Sequence, residues 1–428
     1  MVVNSLITRP EPVLVVGAGP AGSTAARSLA RAGVPVRLLD RAQFPRNKPC
    51  GGGISWRVVP RFPYLSPALS RIATHEISRL YLEGPGGEST VIESDGPAAL
   101  MIRRVEFDAL LTSLAVEAGA ELVTGVDVVQ ARTDGGRVTL TARDGRTFES
   151  STVIAADGVH SIVARRLGLN PGWPAASVAL DMMEETPRSA LRDVDPSTLW
   201  VAYGFDPTGR AGGGSAPEGY AYIFPKRDHV NVGIGYVLSY FREQVDAAPY
   251  DLQRDFVGRL RARGVIVGES VRENFTPFLI PVGGPLRRPG RGRVLLAGDA
   301  GGFVNAFTAE GIYYAMVSGE HAARTIAGAT PDAADLAEPY RRAVATEIGA
   351  ELRDSVLIQR FLFGDRRRIA GVIAHAPHAL AVTHLILDFV TGRRSYRDLR
   401  RRVFVRSPLL AVRLVGELLR RATRAPLR

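Results

Sequence analysis

The sequence contains a single cysteine and almost no lysine. Of the 54 basic residues in the 428-residue chain, only Lys48 and Lys226 are lysine, and Cys50 is the one cysteine. One cysteine excludes an intrachain disulfide framework, and with it a small secreted fold held together by disulfides. Because both lysines stand in a chain that otherwise uses arginine, we expect an ammonium group with a defined place at each position.

The sequence also lacks the hydrophobic runs of a signal peptide or a membrane-spanning helix. The N-terminus has no basic segment followed by an apolar region and a small-residue cleavage site, so a cytoplasmic location is predicted. Residues 369–387 contain no Lys, Arg, Asp or Glu, but they include Pro377 and three histidines. A buried or interfacial helix pair is therefore expected there. No metal site is expected at His375 and His378, because Pro377 separates them and no carboxylate lies in the same turn.

Most of the net charge of +11 lies at the C-terminus, where residues 393–428 contain 12 Arg against two acidic residues. The tail lacks the aromatic interleaving that base stacking requires, so nucleic acid is not an expected partner. From Ser407 onward the pattern predicts an amphipathic helix, with Leu410, Leu414 and Leu418 on one face and arginines on the other. Such a helix favours an anionic lipid surface, so peripheral attachment to the inner face of the membrane is predicted.

The first motif is a glycine-rich loop between a predicted strand and a predicted helix. Gly17, Gly19 and Gly22 form Gly-x-Gly-x-x-Gly after the strand at 13–16, and Asp40 ends the next strand. In such a loop the glycines permit a tight turn, close approach of a pyrophosphate and close helix packing, while the acid binds a ribose. The pattern predicts a dinucleotide site that includes Asp40 and the adjacent Arg41.

Three further segments resemble motifs of the FAD enzymes related to aromatic hydroxylases. They are "RRVEFDALL" from residue 103, "AADGVHSIVARR" from residue 155 and "LLAGDAGGFVNAFTAEGIYYAMVSG" from residue 295. The resemblance implies cofactor-binding roles for Arg104, Asp157, Asp299 and Gly311, and it implies FAD as the cofactor. The chain has no second glycine-rich unit of this kind, so a nicotinamide donor would bind without its own Rossmann domain.

The order of the predicted elements indicates an α/β protein with three parts. Residues 1–175 together with 286–330 form a discontinuous Rossmann-like FAD-binding domain. Alternating stretches rich in Val, Tyr and Phe predict an antiparallel-sheet substrate domain at 176–285. Residues 331–428 are expected to form a helical C-terminal region with a basic tail.

Both lysines lie in motifs that resemble the geranylgeranyl reductase family, whose members saturate double bonds in prenyl chains. "KPCGGG" from residue 48 is similar to the family's loop after the ribose acid, and "YAYIFPK" from residue 220 to its aromatic motif, although Tyr222 replaces a usual Trp. The resemblance implies that Cys50, Gly51 and Gly52 contact the flavin and that Cys50, Tyr220 and Tyr222 take part in catalysis. It also implies that Phe224, Pro225 and Lys226 contact the substrate.

The expected activity is saturation of C=C bonds of a prenyl chain by hydride from reduced FAD, with NADPH or a reduced electron-transfer protein as donor. The substrate would be a prenyl lipid, a quinone or a prenyl diphosphate. Cys50 would donate the proton or shape the pocket, and the glycines would let the backbone approach a flat ring. The alternative is an FAD-dependent monooxygenase of the aromatic-hydroxylase type.

Overall fold

The computed structural model describes residues 11–206, 217–330 and 332–406. The strands, in chain order, are β1 Val13–Val16, β2 Val36–Leu39, β3 Gly53–Ser55, β4 Thr74–Ile77, β5 Arg79–Glu83, β6 Ser89–Glu93, β7 Ala99–Ile102, β8 Glu121–Val123, β9 Val128–Asp134, β10 Arg137–Ala142, β11 Thr147–Ser150, β12 Val153–Ala155, β13 Val178–Pro187, β14 Thr198–Tyr203, β15 Gly219–Pro225, β16 His229–Val237, β17 Phe275–Pro281, β18 Gly290–Arg291 and β19 Val294–Leu296. The helices are α1 Pro20–Arg31, α2 Val58–Arg61, α3 Leu65–Ala68, α4 Arg104–Glu117, α5 Ile162–Arg166, α6 Leu238–Gln244, α7 Pro249–Ala262, α8 Ile312–Ala327, α9 Ala337–Val344, α10 Ala350–Phe363, α11 Arg366–His375, α12 Leu380–Val390 and α13 Tyr396–Arg406.

A six-stranded sheet in the order β18-β19-β12-β1-β2-β8 carries the glycine-rich loop. All its pairs are parallel except β18–β19. The central strands are short apolar runs with every residue of β1 and β12 buried, as expected for parallel strands covered on both faces. The loops that follow β1, β12 and β19 therefore meet at one edge of the sheet, which is where open α/β sheets bind their ligands.

A seven-stranded sheet in the order β17-β13-β16-β15-β14-β5-β6 forms the second layer. Its pairs are antiparallel except β14–β5, which is parallel. The predicted antiparallel sheet is confirmed, and so is the α/β fold class. The sheet also takes in β5 and β6, two strands that the predicted boundaries assign to the FAD-binding domain. The division of the chain into domains stays a prediction.

The helices beyond residue 331 contact the N-terminal part of the chain through Arg57, which directly precedes α2. Its guanidinium donates to the Glu351 carboxylate at 3.1 and 2.9 Å and lies 4.3 Å from the ring centroid of Phe389. Burial opposes its charge, but Tyr314 and the carboxylates of Glu351 and Glu310 outweigh burial and raise the pKa of Arg57. The C-terminal region is helical as predicted up to residue 406. The predicted amphipathic helix from Ser407 lies outside the described residues.

The charge-free stretch at 369–387 forms a helix pair, as the sequence predicts. Helix α11 and a short turn lead into α12 at an angle of 96°. Ile369, Ile373 and Leu385 are buried, whereas other apolar side chains of the pair are exposed. Within the described residues, no single helix has the length and apolar composition to cross a bilayer, and only this bent pair meets both conditions together.

Candidate functional site

The glycine-rich loop has the geometry that a pyrophosphate requires. Gly17 has φ +95°, and a Cβ there would lie 2.4 Å from the Ala156 carbonyl oxygen, so only glycine fits. A Cβ on Gly22 would lie 1.8 Å from the Gly17 oxygen. Helix α1 begins behind Gly19 with no side-chain cap and no acid in its first turn. Its first N–H groups therefore point out of the loop with their hydrogen-bonding capacity free for an anion.

Asp40 is fixed beside this loop by backbone donors. Its Oδ2 accepts from the Ala18 N–H at 2.7 Å and its Oδ1 from the Ala42 N–H at 2.8 Å. Each carboxylate oxygen can accept a second hydrogen bond, so a ribose hydroxyl remains compatible with this arrangement. The neighbouring Arg41 is exposed.

Arg46 is a site residue that the sequence motifs do not mark. Its Nη1 lies 2.9 Å from Asp108 Oδ2, and its Nε lies 4.0 Å from Asp40 Oδ1. Its Nη2 would lie 3.7 Å from a Cβ placed on Gly19. A cation is thus held at the N-terminus of α1, where it would reinforce the binding of a pyrophosphate. Its only signal in the sequence is its position between Asp40 and the Lys-Pro-Cys loop.

The two other cofactor motifs converge on the same edge of the sheet. A Cβ on Gly17 would lie 3.1 Å from the Cα of Asp157, and one on Gly311 would lie 3.5 Å from Asp299 Oδ1. The carboxylate of Asp157 caps α5, accepting from Ser161 Oγ at 2.5 Å and from the Ile162 N–H at 2.8 Å. The carboxylate of Asp299 is partly exposed, and among the described residues no hydrogen bond to it is found. Asp157 thus has a structural role in the loop, whereas Asp299 is free to bind a ligand.

Replacing Asp299 by Ala is expected to release most of the FAD, which we expect wild-type protein to retain at one molecule per chain. The expected reason is loss of the carboxylate that would accept from the flavin-side ribitol or bind near the pyrophosphate. The ratio of flavin to protein absorbance after gel filtration measures retention. Asp144→Ala, in an exposed turn, is the control. Full flavin content in Asp299→Ala would remove this residue from the site.

Arg104 begins α4 and forms a buried ion pair within it. Its Nε and Nη2 donate to the two oxygens of Asp108 at 2.7 and 2.8 Å. Burial opposes the charge, but Asp108, with a smaller contribution from Cys50, outweighs burial and raises the pKa of Arg104. Arg104 is therefore held by Asp108 as a buried cation.

The Lys-Pro-Cys-Gly-Gly loop lies directly on the aromatic strand β15. A Cβ on Gly51 would lie 2.8 Å from Phe224 Cδ2, and one on Gly52 would lie 2.1 Å from the Ile102 carbonyl oxygen and 2.8 Å from Lys226 Nζ. The Asn231 side chain donates to the Cys50 carbonyl oxygen at 3.2 Å and ties the loop to β16. Close approach to a flat ring is the expected reason for these glycines. In the structure the ring next to Gly51 is the protein's own Phe224, and contact of these glycines with the flavin stays a prediction.

Both lysines occupy defined positions, as expected. Lys226 is 2% exposed and forms an ion pair with Glu185, which also accepts from Arg103 Nε at 2.9 Å. Burial lowers the pKa of Lys226. Lys48 Nζ lies 4.6 Å from the ring centroid of Phe278, and burial together with Arg104 lowers its pKa. The charge of Lys226 is thus balanced inside the protein, behind the loop.

The structure brings the two predicted tyrosines together with an acid that the motifs do not include. Tyr222 Oη donates to Asp181, at 3.2 Å from Oδ1 and 3.1 Å from Oδ2. A Cβ on Gly233 would lie 2.5 Å from Tyr222 Oη, so glycine at that position makes room for the phenol. Tyr220 Oη instead donates to the Thr308 carbonyl oxygen at 2.7 Å. In the sequence, Asp181 could have been recognised because it is a single acid among the apolar residues that begin a predicted strand.

Asp181 is buried, and it lines a narrow cavity. Its surroundings determine whether its carboxyl group is charged. Burial raises the pKa of Asp181 to about 7, although the Tyr222 hydrogen bond and the positive charge of Lys48 act in the opposite direction. The groups that line the cavity with it include Tyr220, Tyr222, Gln359 and Phe363. The cavity is therefore largely aromatic and apolar, and the Asp181 carboxyl group that lines it can carry a proton near neutral pH.

The loop after β1, the convergent motifs and the aromatic cavity together define an FAD-binding flavoprotein. The FAD binding domain family matches residues 11–237. The chain is 33% identical over 357 residues to menaquinone reductase of Mycobacterium tuberculosis, covering 79% of this chain and 80% of that protein. It is 29% identical over 405 residues to digeranylgeranylglycerophospholipid reductase 2 of Methanothermobacter thermautotrophicus, covering 90% and 99%.

A solved structure of a geranylgeranyl bacteriochlorophyll reductase-like protein from Thermoplasma acidophilum matches with a TM-score of 0.74. It covers 95% of this chain and 98% of that one at 20% identity, which establishes the shared fold. The chain belongs to the FAD-binding family that contains these reductases, and the resemblance to the geranylgeranyl reductase family is confirmed.

Proposed function

We propose that this protein is an FAD-dependent reductase that saturates C=C bonds of a prenyl chain. The observation that carries the proposal is the contact between the Cys-Gly-Gly loop and the aromatic strand, whose Tyr222 lines a cavity together with a protonatable acid, Asp181. An aromatic, apolar cavity suits an isoprenoid chain, whose only reactive groups are its double bonds. The names of its relatives support the same chemistry.

The protein's own residues would bind the reactants and supply a proton. Gly17, Gly19 and Asp299 would hold FAD, which supplies hydride when it is bound and reduced. Saturation of one double bond needs that hydride on one carbon and a proton on the other. Tyr222 Oη, which donates to Asp181, would give the proton and would be reprotonated by the carboxyl group.

Cys50 would position the loop and shape the cavity. Its sulfur accepts from the Gly52 N–H at 3.4 Å, and this contact ties it to its own loop. We expect Cys50→Ala to retain FAD, to lower saturation less than tenfold and to change the number of bonds reduced. Product analysis by mass spectrometry checks this. A loss on the order of 10²-fold, the scale of a positioned acid, would make Cys50 the proton donor.

The names of the same relatives suggest the substrate, and the chemistry of the reaction suggests the electron donor. A prenylated quinone of the menaquinone type and a prenylated glycerophospholipid are the first two substrates to test, with a prenyl diphosphate third. NADPH or a reduced electron-transfer protein would reduce the flavin. A cytoplasmic protein attached peripherally to the inner face of the membrane, in part through the basic tail, would reach such lipids.

Anaerobic turnover tests the proposal against a monooxygenase. Holoenzyme reduced with dithionite under nitrogen should convert the substrate to products heavier by two hydrogens per double bond. A monooxygenase cannot turn over without oxygen and would add an oxygen atom instead. Products that form only in air and contain added oxygen would overturn the reductase assignment.

A further inference from the structure

Exposed apolar side chains are concentrated in the C-terminal helices. Seven large apolar residues are exposed in the part of the chain that the structure describes, and four of them lie between residues 372 and 405. Val372 is 52% exposed, Leu380 61% and Ile386 48%, and all three belong to the bent pair α11–α12. A cluster of this kind on one part of a surface marks an interaction site, whereas single exposed residues do not.

Helix α12 is mainly apolar, and the protein encloses only part of it. Of its 11 residues, only Thr383, His384 and Asp388 are polar, yet only Leu385 is buried. Leu380, Ala381, His384 and Ile386 are exposed, and the other six residues are partly exposed. Apolar side chains that the described residues leave in water would be stabilised by contact with another apolar phase.

The apolar bend lies between two groups of arginines. Residues 366–406 contain ten Arg and two acidic residues, Asp388 and Asp398. Arg366, Arg367 and Arg368 begin α11, and the others follow α12 from residue 393 onward. An apolar centre with basic flanks is complementary to an anionic bilayer, whose acyl chains lie beneath negatively charged headgroups.

Helix α11 of the same pair packs against residues that line the aromatic cavity. Ile369 and Ile373 of α11 pack in one cluster with Phe363 and Tyr220. Phe363 and Tyr220 also line the cavity that contains Asp181. Helix α11 thus exposes Val372 to solvent and, through Ile369 and Ile373, packs against the lining of the proposed prenyl site.

We propose that the bent pair α11–α12 is the surface with which this protein lies on an anionic lipid bilayer. Leu380, Ile386 and Val372 enter the boundary between headgroups and acyl chains, and the flanking arginines contact the headgroups. A prenyl chain then passes from the bilayer along α11 into the cavity, and this second part rests on the proposed function. The contact does not depend on the tail beyond residue 406.

Sedimentation of the full-length holoprotein with vesicles tests the surface without any measurement of turnover. Vesicles of phosphatidylcholine alone are compared with vesicles in which about a third of the lipid is phosphatidylglycerol. Wild-type protein should sediment with the anionic vesicles. Leu380→Glu/Ile386→Glu should lower the partition coefficient by about tenfold or more, because it removes apolar insertion and adds negative charge. Val116→Glu introduces a glutamate at an exposed valine of α4 and should leave the partition coefficient unchanged.

Three other results would overturn the proposal. If Leu414→Glu in the predicted tail helix abolishes sedimentation while Leu380→Glu/Ile386→Glu has no effect, the tail is the membrane anchor. If wild type is a dimer without lipid and the double variant is a monomer that still binds vesicles, a second copy covers this face. Unchanged binding of the double variant alone also contradicts the proposal.

A comparison of detergent-solubilised and vesicle-embedded substrate distinguishes failure of this proposal from failure of the proposed function. The double variant should reduce a detergent-solubilised prenyl substrate at the wild-type rate and a vesicle-embedded one about tenfold more slowly. If wild type fails with both forms of substrate, the reductase assignment fails, and the sedimentation result still decides the bilayer contact.

Discussion

Replacing Asp181 by Asn is expected to lower the rate of double-bond saturation by about 10²-fold while FAD remains bound, because a positioned proton donor contributes about 10²–10⁴-fold. The amide keeps the size of the side chain and can still accept from Tyr222, but it has no acidic proton to return to the phenol. Tyr222→Phe should lose activity to a similar extent, since it removes the hydroxyl that would transfer the proton. Tyr203→Phe, a neighbouring ring change in the same aromatic cluster, is the control.

The pH dependence of the rate gives a second test of Asp181. Burial raises the pKa of this carboxyl group to about 7, so its proton is lost as the pH rises through that value. The wild-type saturation rate should therefore fall above about pH 7, whereas the residual rate of Asp181→Asn should lack this fall. A wild-type rate that is constant across neutral pH, or an Asn variant with full activity, would exclude Asp181 as the proton source.

The pH dependence of the free energy of unfolding tests the protonation of Asp181 without any measurement of turnover. The pKa is raised from 3.8 to about 7 on folding, so the folded protein binds more protons than the unfolded chain between these values. The free energy of unfolding contributed by this group is present in full below about pH 4 and is lost as the pH rises to about 7. Wild type should accordingly lose stability relative to Asp181→Asn over this range.

Replacing Gly52 is expected to disrupt the site more than any change to Cys50. Gly52 has φ +74°, and even the Cβ of alanine would lie 2.1 Å from the Ile102 carbonyl oxygen and 2.8 Å from Lys226 Nζ. Left-handed backbone strain costs about 1–3 kcal/mol, and overpacking costs about 1–3 kcal/mol more. Gly52→Ala should therefore lower the free energy of unfolding by about 2–6 kcal/mol and reduce FAD retention, and Gly52→Val should be worse.

Gly53→Ala is the matched control, because it makes the same chemical change one residue along the loop. A Cβ on Gly53 would lie 3.5 Å from Met101 Cε, an ordinary contact. Thermal unfolding of the holoproteins and the flavin-to-protein ratio compare the two variants. Equal stability and equal FAD content in Gly52→Ala and Gly53→Ala would show that the tight approach at Gly52 is unimportant.

The sequence by itself determined the cofactor edge of the protein. Gly17, Gly19 and Gly22 lie within a few residues of one another, and their roles follow from a local strand-turn-helix geometry that the pattern specifies. The helical C-terminal region and the helix pair at 369–387 could also be predicted, because composition and helix signals are local. The motifs around Cys50 and Tyr222 were sufficient to indicate the family.

Only the tertiary structure decided which groups meet around the cavity. Asp181 and Tyr222 come together because β13 and β15 both pair with β16, where Gly233 and Gly235 leave room for their side chains. Strand register and the joining of β5 and β6 to this sheet depend on hydrogen bonds between distant segments, which no local pattern specifies. The proton affinity of Asp181 depends in turn on burial by those segments, so it is a property of the folded protein and not of the strand that carries it.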